Sequence, residues 1–443
     1  MNRRGWIAMA CGLTLMMAPR TTCAQSTSSR VSNVPILASG QMPSTTPQED
    51  VEMTNIFKGS ITIGSFFDDN AVIGAAPRQW NLNYMITPSI EFDETRSRLD
   101  WGLTYAPGFI VSQNISSRNL FSQTFGGHFA WLPTRHTTLS AQQSYVRSNN
   151  PFQQLSTTSP GPTVTPNPTI FFPSLLRTSI LSNAEYSYQF AEHSSIGLGG
   201  NFSSQHFDIT PHSGPTTSLI RSQSASGNAY YSHEFSARNQ LGVQYEGRVL
   251  RFPVNNARTT THTFLVFDEL KPTPNTTFTV YGGPEYSLTF NQVQINLGFI
   301  IITIPVHSNQ WQAAGGVIYS WTGQRAAVTL NYTRRISDGG GLVGAVKLNA
   351  GTADFSWRLT GRWSLTSALS GADDQLLAAQ NAQDELRTYS ARVGLKRQLS
   401  RNLGLNMSYE RLNETGGFAG LPIGNHDLAT ASITYSFLKP LGR

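Results

Sequence analysis

The chain has 443 residues, carries a formal net charge of +6 and is only 13% charged, against roughly 25% in ordinary soluble domains. Its 38 glycines and 23 prolines argue against long helices, and its polar content excludes a bundle of membrane helices. The positive charge is spread thinly and forms no basic run of the nucleic-acid-binding kind, so no nucleic-acid partner is expected.

The chain opens with a targeting segment. Asn2-Arg3-Arg4 is a positive start, Ile7 to Met17 is an uncharged apolar core, and Thr22 and Ala24 place small residues at a cleavage site. Residues 1–24 therefore read as a secretory signal peptide, with an apolar core too short to span a bilayer. Both cysteines, Cys11 and Cys23, lie inside it, so the mature chain is expected to have no disulfide, no thiol nucleophile and no cysteine-bound metal. Residues 25–56, rich in Ser, Thr, Pro and Gln, read as a flexible periplasmic leader too small to be a plug domain.

From Phe57 the sequence alternates. In 402–412, Leu403, Leu405, Met407 and Tyr409 share one side, and Gly404, Asn406, Ser408 and Glu410 the other. Successive strand residues face opposite sides, so such a segment has one oily and one wet face. Eighteen segments show the pattern: 57–67, 78–92, 97–111, 118–132, 137–147, 176–190, 194–207, 221–235, 239–252, 258–270, 276–289, 309–321, 325–336, 345–359, 362–372, 386–397, 402–412 and 427–437. Every second connection is short, as at Pro133 to His136, Ser236 to Arg238 and Thr322 to Gln324. Intervening connections are mostly longer: Ser148 to Leu175, Asp208 to Ile220, Phe290 to Ser308, Asp373 to Glu385 and Asn413 to His426.

Short turns on one side, long loops on the other and an even strand number describe an all-β, antiparallel, up-and-down transmembrane barrel. Trp131, Trp321, Trp357 and Trp363 flank short turns, where a headgroup-level aromatic girdle belongs. A soluble β-sandwich would also alternate, but predicts neither the regular short–long connections nor so few charges. The expected organisation is a barrel over 57–437 and a tail over 438–443, integral to a Gram-negative outer membrane.

The closing segment, Asp427 to Phe437, resembles the assembly signal of bacterial outer-membrane barrels of the porin-like kind, ending Tyr435-x-Phe437, although six residues follow it here. The opening segment, Phe66-Phe67-Asp68-Asp69-Asn70-Ala71-Val72, is similar to porins that accompany exopolysaccharide systems. An alternating wall of spanning length with a polar inner face points to passive passage of small hydrophilic solutes, and the resemblance implies, as an alternative, an accessory role in polysaccharide export. The partners it implies are outer-membrane lipid, lipopolysaccharide and the barrel-assembly machinery. A plugged structural or adhesive barrel is the remaining alternative.

Parity places Glu246, Arg248, Glu285, Arg335, Asp354, Arg358, Arg392 and Glu410 toward the lumen as pore-lining candidates. Four acids against four bases do not indicate strong ion selectivity, and mutual pairing across strands is an equal alternative. Ser148 to Leu175 is the best candidate to fold inward and narrow the pore, and its six stiffening prolines suit a constriction or a rigid outer ridge equally. The nine histidines show no metal spacing and read as solvated residues near turns. Asp68-Asp69-Asn70 and Asp373-Asp374 read as solvated outer-loop residues, with a hard divalent cation as the alternative. Gly339, Gly341 and Gly344 fit a GxGxxG pattern, but a strand follows them instead of the helix a nucleotide site needs, so a flexible loop is expected. No catalytic residues, metal or cofactor are expected, and no enzyme activity.

Overall fold

The computed structural model describes residues 55–71, 78–115, 119–148, 176–208, 221–253, 256–296, 301–340, 344–377, 385–416 and 424–440. The expected signal peptide and leader, through residue 54, and the loop 149–175 lie outside them, as do 441–443 of the expected tail.

Eighteen strands run in chain order: β1 Asn55–Asp68, β2 Asn81–Thr95, β3 Leu99–Ser112, β4 Leu120–Trp131, β5 Thr137–Ser148, β6 Leu176–Ala191, β7 Ser194–Asp208, β8 Ser222–Ser236 and β9 Asn239–Phe252. They continue as β10 Ala257–Thr273, β11 Thr276–Asn296, β12 Ile301–Thr322, β13 Ala326–Ser337, β14 Val346–Arg358, β15 Trp363–Leu376, β16 Glu385–Gln398, β17 Leu403–Gly416 and β18 Asn425–Pro440. Each strand pairs antiparallel with its chain neighbours, and β1 pairs with β18. Ile61, for instance, lies between Tyr435 and Pro88. The result is a closed 18-stranded barrel. Closure is what hydrocarbon demands, because an open sheet edge there would leave N–H and C=O groups without partners.

Alternation sorts the two faces. Ile63, Phe109, Leu198, Leu369 and Tyr389 are exposed on one face, while Thr261, Ser232, Thr329 and Glu285 are buried on the other. In a closed barrel the exposed apolar face is the exterior. On β12, Trp311 and Trp321 both point outward, ten residues apart. At ~3.3 Å per residue and a tilt near ~40° they bracket a belt ~25 Å tall, the hydrocarbon thickness that such barrels cover. Trp131, Trp357, Phe235 and Phe437 lie exposed beside the short turns or the terminal strand end. At the other rim, Phe67 stacks on Trp80 and Tyr286 packs on Trp311 with ring centroids 4.8 Å apart. Among the described residues no helix is long and apolar enough to cross a membrane. The crossing is made by strands, and the protein is an integral barrel of the outer-membrane type.

The structure moves several boundaries, and β1 takes in Asn55 and Ile56 from the expected leader, as β17 takes in Asn413 to Gly416 from an expected loop. Phe290 to Ser308, expected as a loop, is mostly the outer part of the β11–β12 hairpin, whose strands have 21 and 22 residues. The sequence loses its alternating phase there, yet the backbone ladder continues from Phe290↔His307 to Asn296↔Ile301. Pro305 is tolerated because β13 pairs with β12 only from Gly315 onward, leaving that side of the hairpin as an edge. Asp373 and Asp374 belong to β15 and not to a loop. Strand β18 runs through Pro440, so Leu438 to Pro440, expected as tail, pair with β1.

Candidate functional site in the barrel lumen

The inner face of β9 carries Gln240, Gly242, Gln244, Glu246, Arg248, Leu250 and Phe252 on successive even positions. Glu246 and Arg248 form an ion pair through two guanidinium nitrogens. From β11, Glu285 is 2% exposed and accepts hydrogen bonds from Thr263 Oγ1 at 3.2 Å and Gln312 Nε2 at 2.6 Å. A third donor to it is the backbone N–H of Ile336, at 3.1 Å. Arg248 in turn donates to the Ile336 carbonyl at 3.1 Å. Strand β13 is separated from β9 by three strands in the wall, so these bonds cross the inside of the barrel.

The register explains how β13 reaches that far. Arg335, Ile336 and Ser337 pair with β14 but not with β12, so the last turn of this strand is released from one neighbour. Ile336 shares parity with the outward Leu330 and Tyr332, yet is fully buried. It packs with Leu250, Phe252, Ala257 and Ala345. Beyond it, Asp338 accepts from Ser222 Oγ of β8 at 2.8 Å. Gly339 and Gly340 then turn the chain back with φ of 63°, a left-handed conformation that glycine adopts without a Cβ clash. Buried Arg177 of β6 lies within electrostatic reach of Asp338.

The end of β13 is therefore the inward-folded element among the described residues. The segment Ser148 to Leu175, expected in that role, lies almost wholly outside them. Of the GxGxxG stretch, Gly339 and Gly340 follow β13 and Gly344 precedes β14, a strand and not a helix, while Gly341 lies outside the described residues.

Of the eight residues expected in the lumen, Glu246, Arg248, Glu285 and Arg335 converge here. The Arg335 side chain faces Arg248, Glu246 and Glu285 electrostatically. The other four lie elsewhere on the wall. Arg392 and Glu410 are direct cross-strand partners on β16 and β17, with Nε and Oε2 3.9 Å apart. Asp354 is half-buried between Thr329 and Ala368, and Arg358 ends β14 at the short-turn rim. Sequence reading missed Arg177, Asp338 and Gln312. Arg177 sits at an inward position with its guanidinium over Phe207, 5.8 Å from the ring centroid, and strand parity alone could have found it. No parity rule finds Asp338, which lies in a turn.

Two clusters bring a histidine to two aspartates, within 4.8 Å: Asp68, Asp69 and His426, and Asp93, Asp100 and His128. The second lies toward the short-turn rim. In the first, three of the four carboxylate oxygens already have partners. Asp68 Oδ1 accepts from Asn70 N at 3.0 Å and lies 3.4 Å from His426 Nδ1. Asp69 accepts from Asp427 N at 2.7 Å and from Arg78 at 3.2 Å. Asn70 Nδ2 donates to the Asn425 carbonyl at 2.9 Å. Asp68-Asp69-Asn70 thus clasps β1 to β18 at the outer rim. This corrects the reading of Asp68 and His426 as solvated, since they are 7% and 1% exposed. Asp374 is likewise fully buried.

No family model and no curated protein matches the chain. Among solved structures, OccK2 (OpdF) of Pseudomonas aeruginosa is 10% identical, with 87% of this chain and 98% of that one covered and a TM-score of 0.39. OccAB4 of Acinetobacter baumannii is 10% identical over 88% of this chain and all of its own, with a TM-score of 0.43. The ferric-catecholate import receptor Fiu of E. coli K12 is 10% identical over 89% and 82%, also at 0.43. Likeness at this level transfers neither a solute nor a site residue.

Proposed function

We propose that the chain is an outer-membrane channel that passes small hydrophilic solutes passively, and is not an enzyme. Its narrowest point is where the end of β13 crosses to β9 and β11. The observation that carries this reading is the Ile336 backbone held between Arg248 and Glu285 across the lumen. A polar inner wall in an 18-stranded barrel leaves room for water, and an inward segment sets the size limit. Glu246, Glu285 and Asp338 balance Arg177, Arg248 and Arg335, so the constriction discriminates weakly by charge. The remaining inward candidates, Asp354, Arg358, Arg392 and Glu410, line the wider wall. The terminal strand is the segment that the barrel-assembly machinery reads.

The polysaccharide-export reading is less well supported. A sugar track needs aromatic faces presented along the lumen, whereas the inward Phe66, Phe207, Tyr230, Phe252 and Phe267 are buried and the half-buried Tyr281 stands alone among the described residues, its hydroxyl donating to Thr333 Oγ1. Planar-bilayer recording tests the channel. Folded protein should give discrete steps with little preference between cations and anions, and a folded barrel that gives none would refute it.

A further inference from the structure

On the outside of the barrel, where the β11–β12 hairpin rises past its neighbours, the structure holds a cavity of about 410 Å³. Its lining includes Arg258, Leu288, Phe290, His307 and Asn309. The ladders set these residues in rows. His262, Tyr286 and Trp311 form one row, at the outer aromatic girdle. Four residues further out along β10, the next rows end in Arg251, Arg258, Phe290 and His307, side by side across β9 to β12. All four share the outward parity, and Phe290 and His307 have ring centroids 5.1 Å apart. The cavity thus has Leu288 and Phe290 on its floor and Arg258 and His307 on its upper edge at headgroup height, with Arg251 beside Arg258 just outside the lining and Trp311 in the row below.

The basic edge is unusual in itself. Arg251 and Arg258 are direct cross-strand partners, both exposed, and neither has a carboxylate partner among the described residues. Like charges directly opposite one another on a sheet repel. Elsewhere on the outer rim three exposed arginines are matched, Arg411 with Asp427, Arg387 with Glu385 and Arg78 with Asp69, and among the described residues no other two face each other directly across a strand pair. An anion between the two arginines would turn repulsion into a shared, charge-assisted site, and guanidinium forks fit phosphate oxygens in pairs.

We propose that this notch binds the phosphorylated headgroup of an outer-leaflet glycolipid. Its phosphate lies between Arg251 and Arg258, His307 provides a further ring nitrogen, and the acyl chains descend over Leu288, Tyr286 and Trp311. The proposal rests on the barrel's residence in an outer membrane but not on its conducting solutes.

Native mass spectrometry of the full-length, detergent-purified protein tests it with three probes: bis-phosphorylated lipid A, chemically dephosphorylated lipid A and inorganic phosphate. The wild type should carry lipid A adducts, and R251Q/R258Q should lose them by about fivefold or more, as expected when two charge-assisted contacts go. Dephosphorylated lipid A should bind as weakly as the double variant binds lipid A, and millimolar inorganic phosphate should not displace the lipid. Undiminished adducts in R251Q/R258Q would overturn the proposal, as would equal binding of the dephosphorylated lipid. Displacement by inorganic phosphate would make the notch a free-anion site and also overturn it. Should R251Q/R258Q fail to show the heat-modifiable migration of a folded barrel, the two lipids on the wild type decide. Wild-type conductance in a variant that has lost the lipid separates this site from the channel.

Discussion

The inner wall has two unlike sides. On β10, the inward residues Ala257, Thr259, Thr261, Thr263, Leu265, Phe267 and Glu269 are all buried, from one rim to the other. On β4 and β5, the inward Thr124, Gly126, His128, Ser140 and Gln142 are half-exposed. Two glycines mark the contrast. A Cβ at Gly242, on β9, would lie 2.2 Å from Phe267 Cζ and 2.6 Å from the Tyr231 carbonyl, whereas one at Gly126 would meet nothing within 4 Å. The same strand chemistry thus makes a packed interior on one side and a wet lining on the other. In the channel proposed above, the packed side would support the β13 end, and the wet side would leave the space that it narrows.

The contrast breaks most sharply at Glu285. Glu285→Ala removes the acceptor of three donors and leaves buried polar groups uncompensated, a loss expected to cost about 4 kcal/mol. Urea unfolding from lipid vesicles measures it. The end of β13 should also come free, so single-channel conductance should rise. Glu285→Gln keeps the shape and one acceptor oxygen, and should lose less than half as much. Unchanged conductance in folded Glu285→Ala would show that the β13 end does not set the pore.

A smaller effect sharpens the same comparison. Gly242→Ala must displace the Phe267 ring or the β8 backbone, an overpacking cost of about 2 kcal/mol. Gly126→Ala fills open lumen and removes glycine's excess chain entropy, so it should be neutral or stabilising by about 0.5 kcal/mol. Equal effects of the two substitutions on the unfolding midpoint would erase the distinction between the sides.

Much of this architecture was legible in the residues because hydrocarbon penalises polarity one residue at a time. Leu403, Leu405, Met407 and Tyr409 state their face without help from any distant contact, and strand count and order follow from such runs and the turns between them. The constriction was not legible for a related reason. Ile336 has outward parity, and only the loss of β12 pairing after Arg334 lets it turn inward, which no local pattern encodes. Backbone pairing beyond the membrane is equally silent, since water on both faces removes the need to alternate; hence the hidden outer part of β11 and β12. Asp68 and His426 lie 358 positions apart and meet only because the barrel closes.

Arg392 and Glu410 give the weakest and most discriminating case. They are cross-strand partners at 3.9 Å, with Arg392 37% exposed, so solvent screens much of their attraction. Arg392→Gln should cost under about 1 kcal/mol in unfolding. Its effect on permeation should exceed its effect on stability, because the carboxylate of Glu410 then faces the lumen without its cation and cations should pass more readily than in the wild type. Reversal potentials under a salt gradient read that shift directly. A stability loss several times larger with unchanged reversal potential would place this pair with the packed side of the wall, and the boundary between the two sides would then lie beyond β17.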